Sequence, residues 1–68
     1  MKICMFRIFG DGGFDGGLLT PNKYDAFRYA DGLQSQHGGV FTVYYAGELL
    51  YLVNDSVKDF IDYQIERG

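Results

Sequence analysis

Two apolar and aromatic runs of five residues each, Phe41-Thr-Val-Tyr-Tyr45 and Leu49-Leu-Tyr-Leu-Val53, are separated only by Ala46-Gly47-Glu48. β-Branched, aromatic and aliphatic residues flanking a glycine specify a β-hairpin, with Gly47 supplying the positive φ that a tight turn needs. Alternate residues of a strand point to opposite faces. One face therefore collects Phe41, Val43, Leu50 and Leu52, and the other Thr42, Tyr44, Leu49, Tyr51 and Val53. Neither face is polar, and the first reads as the inward one. A chain of 68 residues has too little material to cover both, which marks the tyrosine-bearing face, with Thr42, Tyr44 and Tyr51, as the surface for another molecule.

The same length sets the energetic frame. A domain this small buries only about 60% of the surface its unfolded chain exposes, so its core is marginal and usually needs support. Cys4 is the only cysteine and His37 the only histidine, so neither an internal disulfide nor a four-ligand zinc site can be built from them. Packing remains, helped by the area that six Phe and six Tyr deliver, and by self-association into a homodimer. No cofactor and no metal are expected.

The formal charge is -3, and the basic residues Lys2, Arg7, Lys23, Arg28, Lys58 and Arg67 are scattered. Phosphate neutralisation needs a coherent positive surface, so nucleic acid is disfavoured as a partner. No apolar stretch approaches the length of a membrane span, and Met1 to Phe9 is interrupted by Arg7 and lacks a signal-peptide cleavage region. The chain reads as a soluble cytoplasmic protein with a reduced thiol.

Along the chain, Lys2 to Phe9 has the Ile, Phe and Met content of a strand. Cys4, Phe6 and Ile8 share one side; Ile3, Met5, Arg7 and Phe9 share the other. The segment from Gly10 to Gly17 holds five glycines and two aspartates and reads as a loop. Thr20-Pro21 suggests a hydroxyl N-cap followed by proline in the first helical turn. Ala26, Phe27, Ala30 and Leu33 supply the buried stripe, and Gly38-Gly39 the stop after His37. Beyond the hairpin, Ser56 reads as the N-cap of a second helix whose stripe is Val57, Phe60, Ile61 and Ile65. The expectation is a single α+β domain over residues 1–68, ordered β-α-β-β-α, with a three-stranded sheet and two amphipathic helices packed mainly on one face.

The glycine segment lies where phosphate loops lie, yet it lacks G-x-G-x-x-G spacing and a G-K-[ST] lysine, and its aspartates repel anions. Asp11 and Asp15 offer hard oxygen donors for calcium without forming an EF-hand loop. Cys4 and His37 suggest a nucleophile and a base, but a strand cysteine is ordinarily a small hydrophobe and His37 is accounted for by the helix terminus. No catalytic motif is present, and the reading is a non-enzymatic one with no catalytic residues.

The aromatic residues carry the functional expectation. Tyrosine combines contact area with little conformational entropy loss, so Tyr44 and Tyr51 with Thr42 are the expected partner-binding residues. Phe14, at the tip of the glycine loop, and Tyr29, off the buried stripe of its helix, complete the set. In size and composition alone the chain resembles the small stand-alone proteins that bacteriophages and mobile elements use to inhibit host machinery, anti-CRISPR proteins among them. That resemblance implies an inhibitor or regulator occupying a surface on a larger protein in the host cytoplasm. A nucleic-acid-binding regulator and a self-assembling structural module are the alternatives.

Overall fold

The computed structural model describes residues 2–61. Its elements run β1 (Cys4–Gly10), β2 (Phe14–Thr20), α1 (Lys23–His37), β3 (Phe41–Tyr45), β4 (Glu48–Val53) and β5 (Lys58–Phe60), with a single 3-10 turn at Asp11–Gly13 between the first two strands. The strands form one sheet in the order β2-β1-β3-β4-β5, and every neighbouring pair is antiparallel. The expected three-stranded sheet with two helices is thus corrected to five strands and, among the described residues, one helix.

Both extra strands arise where the sequence pattern is weakest. Gly12 and Gly13 adopt φ of 77° and 85° and turn the chain, but the rest of the expected loop is extended and pairs with β1. Gly16 stands opposite Ile8 and Gly17 opposite Arg7. Glycine weakens a strand because it offers nothing to pack, and here neighbours supply the cover. The Phe14 ring lies 3.1 Å from where a Cβ on Gly16 would stand, and the Met5 sulfur 2.9 Å from that of Gly17. Asp11 ties the turn to β3, its amide donating to the Val40 carbonyl at 3.1 Å and its carboxylate accepting from the Val40 amide at 3.1 Å.

β5 replaces the start of the expected second helix. Asn54 Oδ1 accepts from the amides of Ser56 and Val57, both at 2.8 Å, and reverses the chain so that Phe60 pairs with Tyr51 and Lys58 with Val53. The remainder of that expected helix, from 62 onward, lies outside the described residues.

The first helix starts later than Thr20-Pro21 suggests. Asn22 is the N-cap, its Oδ1 accepting from the Tyr24 amide at 2.9 Å. Thr20 instead closes β2, and its hydroxyl donates to Asp25 at 2.8 Å. At the other end Gly38, at φ 73°, donates its amide to Gln34 O at 2.7 Å, so a glycine at positive φ ends the helix where expected.

The helix lies across one face of the sheet. Ala26, Phe27 and Ala30 meet Phe6 and Ile8 of β1, Phe41 and Val43 of β3, and Tyr51 and Val53 of β4 in a single core. Of the expected inward face of the hairpin, Phe41 and Val43 are buried and Leu50 packs half-buried against the core, whereas Leu52 lies on the opposite face and Tyr51 and Val53 point inward. A β-bulge is the reason. Ala46 and Gly47 form the turn with φ of 52° and 83°, and Tyr45 pairs with Glu48 and Tyr44 with Leu49. The next pair, however, is Val43 with Tyr51, so Leu50 is passed over. An extra residue flips every later side chain to the opposite face, which turns Tyr51 and Val53 inward and Leu52 outward.

Candidate functional site

Strand alternation assigns the face opposite α1, which no element among the described residues covers. With the core carrying Phe6, Ile8, Phe41, Val43, Tyr51 and Val53, the opposite face carries Met5, Arg7 and Phe9 of β1, Thr42 and Tyr44 of β3, and Leu52 of β4. The register arranges them in rows. Leu19 lies beside Met5. Gly17, Arg7, Tyr44 and Leu49 make the next row. Asp15, Phe9, Thr42, Leu52 and Asp59 make the last.

Packing within this face is lateral. The Phe9 and Tyr44 rings meet edge to face at 5.5 Å, and the Arg7 guanidinium stands 5.5 Å over the Phe9 ring. Arg7 also donates to Asp15 at 2.8 Å, with both side chains about half exposed. The Thr42 hydroxyl donates to the Phe9 carbonyl at 3.3 Å. Large apolar side chains remain in solvent: Met5 is 50% exposed, Leu19 64%, Phe9 37% and Ile3, just before β1, 56%.

The residues expected to bind a partner fall in four places. Tyr44 and Thr42 lie on the uncovered face. Tyr51 lies on the opposite one, with no exposure, stacked on Phe27 at 4.6 Å and against Phe60 at 4.9 Å. The shared face assigned to Tyr44 and Tyr51 is therefore corrected, the bulge at Leu50 having separated them. The Tyr51 hydroxyl donates to Asp31 at 2.5 Å, and Lys58 donates to the other Asp31 oxygen at 3.4 Å. Burial, then the hydrogen bond and charge of Asp31, hold the Tyr51 phenol well above its ordinary range. Phe14 opens β2, half-buried, with its ring edge-on to Phe41 at 5.5 Å. Tyr29 is 44% exposed on the outer side of the helix.

Met5, Phe9 and Leu19 join the face beyond the residues expected from sequence. The alternation of β1 already grouped Met5 with Phe9. Leu19 was hidden because β2 looked like a loop running into a helix cap.

The other candidate chemistries do not assemble. Cys4 pairs with Thr20 at one end of β1. His37 lies tilted beside Phe41, which pairs with Gly10 at the other end. About 20 Å of strand separates the two ends. Cys4 instead lies by Tyr45, whose phenol is raised above its usual value by hydrogen bonding to that thiol. Asp11 is bonded to Val40 and Asp15 to Arg7, so these carboxylates serve different partners. Among the described residues no group of three or more His, Cys, Asp and Glu is placed to hold a metal ion. A hollow of about 270 Å³ beside the turn is lined by Asp11, Gly12, Gly13, Phe14, His37 and Phe41 and is open to solvent. No helix among the described residues is long and apolar enough to cross a membrane.

Comparison with protein-family models, curated proteins and solved structures finds no match. The functional reading rests on the face itself. An antiparallel sheet with one solvated side ordinarily alternates apolar inward and polar outward; here aromatic and aliphatic residues from four strands share the outward side with Arg7, Asp15, Thr42 and Asp59.

Proposed function

We propose that the chain is a non-enzymatic protein-binding module that works through its uncovered sheet face, acting as an inhibitor or regulator does, by occupying a surface. The observation that carries this reading is the exposure of Met5, Phe9 and Leu19 on the side of the sheet that the helix does not cover. The largest contiguous apolar patch on a small protein is often functional, and aromatic side chains with one polar end concentrate interface energy. Tyr44, Phe9 and Arg7 belong to the residue types enriched at such anchors.

The charge pattern favours protein over nucleic acid. Arg7, Arg28 and Lys58 are each paired with an aspartate, namely Asp15, Asp25 and Asp31. A stacking surface for bases works together with a groove of free positive charge, and Arg7 is the only basic side chain in the rows of this face.

Capture experiments with tagged protein test the reading. A variant with Met5→Ser and Tyr44→Ser is expected to lose the partner that the unaltered chain retains, while Tyr24→Ser with Tyr29→Ser on the helix keeps it. The reverse outcome would move the binding surface to the helix.

A further inference from the structure

Resting on the reading of the uncovered face as a protein-binding surface, we propose that its occupant is a second copy of this chain, packed sheet to sheet about a two-fold axis. Two features of the face point to that partner.

The first is its charge. An isologous interface must complement itself, so a charged patch within it must carry both signs. Arg7 and Asp15 sit side by side on this face, each about half exposed, within an otherwise apolar and aromatic field. Asp59 lies at the far β5 edge of the sheet, three strands from Asp15's neighbour β1. A two-fold axis lying between the sheets and running across the strands sets each strand against its own counterpart. With the axis between the two longer rows, the Gly17, Arg7, Tyr44 and Leu49 row of one copy meets the Asp15, Phe9, Thr42 and Leu52 row of the other. Arg7 of each copy then reaches Asp15 of its partner, and Tyr44 lies over Thr42 and beside Phe9. Packed sheets stand about 10 Å apart, a gap that side chains from both copies fill.

The second feature is area. At roughly 200 Å² for a fully exposed large side chain, the exposed fractions of Ile3 (56%), Met5 (50%), Phe9 (37%) and Leu19 (64%) leave about 400 Å² of apolar side chain in water. With the half-buried Thr42, Tyr44, Leu49 and Leu52 and the half-exposed Arg7 and Asp15, the face reaches roughly 700 Å² per copy on the same scale. Stable interfaces bury about 600 to 1,000 Å² per partner. The face of one copy has the extent that another copy needs.

Sedimentation equilibrium of the full chain tests this. The unaltered protein is expected to be dimeric at micromolar concentration. Arg7→Asp alone, or Asp15→Arg alone, places like charges opposite each other twice across the axis, so each variant is expected to associate at least tenfold more weakly. An equimolar mixture of the two variants restores opposite signs at both crossings and is expected to recover the dimer. Far-UV circular dichroism melts of each variant establish that it is folded, as expected for a surface pair of small energetic weight.

Rescue in the mixture is the decisive sign, because a pair that acted only within one chain would stay broken in both components. A monomeric unaltered chain overturns the proposal, and so does a dimer indifferent to either substitution or a mixture that stays dissociated. A monomeric chain that still captures a partner lost on Met5→Ser with Tyr44→Ser would sink the second copy while leaving the binding face in place.

Discussion

Replacing Tyr51 and replacing Tyr44 should have very different effects, although the two residues belong to the same hairpin and the same residue type. Tyr51 is fully buried, stacked on Phe27 at 4.6 Å with an interplanar angle of 21° and tilted against Phe60 at 4.9 Å. Removing a buried aromatic ring costs about 3 to 5 kcal/mol. For a chain of 68 residues the total stability is roughly 3 to 10 kcal/mol, so Tyr51→Ala leaves the chain marginal or unfolded. Tyr51→Phe keeps the ring and removes only the hydroxyl that donates to Asp31. A hydrogen bond to a charged group contributes about 1.5 to 3 kcal/mol. The lower end applies here, because Asp31 keeps Lys58 and is 30% exposed. Tyr44 makes one edge contact with Phe9 on the open face, and Tyr44→Ala is expected to cost about 1 kcal/mol. Urea titration followed by far-UV circular dichroism, repeated over a range of protein concentrations so that association is separated from folding, ranks the three variants. If Tyr44→Ala costs as much as Tyr51→Ala, the bulge and the face assignment built on it are wrong.

Two further outcomes follow from the packing and the ionisation of the core. A Cβ on Gly10 would overlap the ring of Phe41, which is 1% exposed, so Gly10→Ala should lower stability by about 1 to 3 kcal/mol in a thermal melt. Because the folded-state pKa of Tyr51 lies above the usual 10.0, the unfolded chain releases that proton first. Stability from this residue is complete below pH 10 and falls as pH rises beyond it. Urea midpoints measured from pH 8 to 11.5 should decline more steeply for the unaltered protein than for Tyr51→Phe.

What could be read from residues alone followed signal strength. β1, the helix stripe of Ala26, Phe27 and Ala30, and the β3 to β4 hairpin each show a clear period of apolar residues, and each is present. β2 was obscured because Gly16 and Gly17 carry no side chain to alternate; their cover comes from Phe14 and from Met5 on the next strand, a tertiary contact that local pattern does not encode. β5 was obscured because Val57, Phe60 and Ile61 fit a helical period, while Phe60 is drawn into the sheet edge by the rings of Tyr51 and Phe27. The face error had a different origin. With Tyr45 opposite Glu48 across the two-residue turn, an unbroken register would put Val43 opposite Leu50 and Phe41 opposite Leu52, the inward set expected from alternation. The bulge at Leu50 rejects that register, and in the bulged one Tyr51 gains both a ring stack and the Asp31 carboxylate. An uncovered sheet face was foreseeable from chain length, whereas its main exposed residues, Met5, Phe9 and Leu19, depended on placing β2.

The sheet face opposite the helix is the proposed binding surface. Methyl and aromatic side-chain resonances report on it directly, because they separate the two faces of a strand where backbone amides do not. With increasing concentration of the chain, or on addition of a captured partner, shifts and broadening are expected at Met5, Phe9, Leu19, Tyr44 and Leu52, with Ala26, Ala30 and Val43 undisturbed. Changes centred instead on Tyr24 and Tyr29 of the helix, with the sheet-face side chains unmoved, would contradict the account.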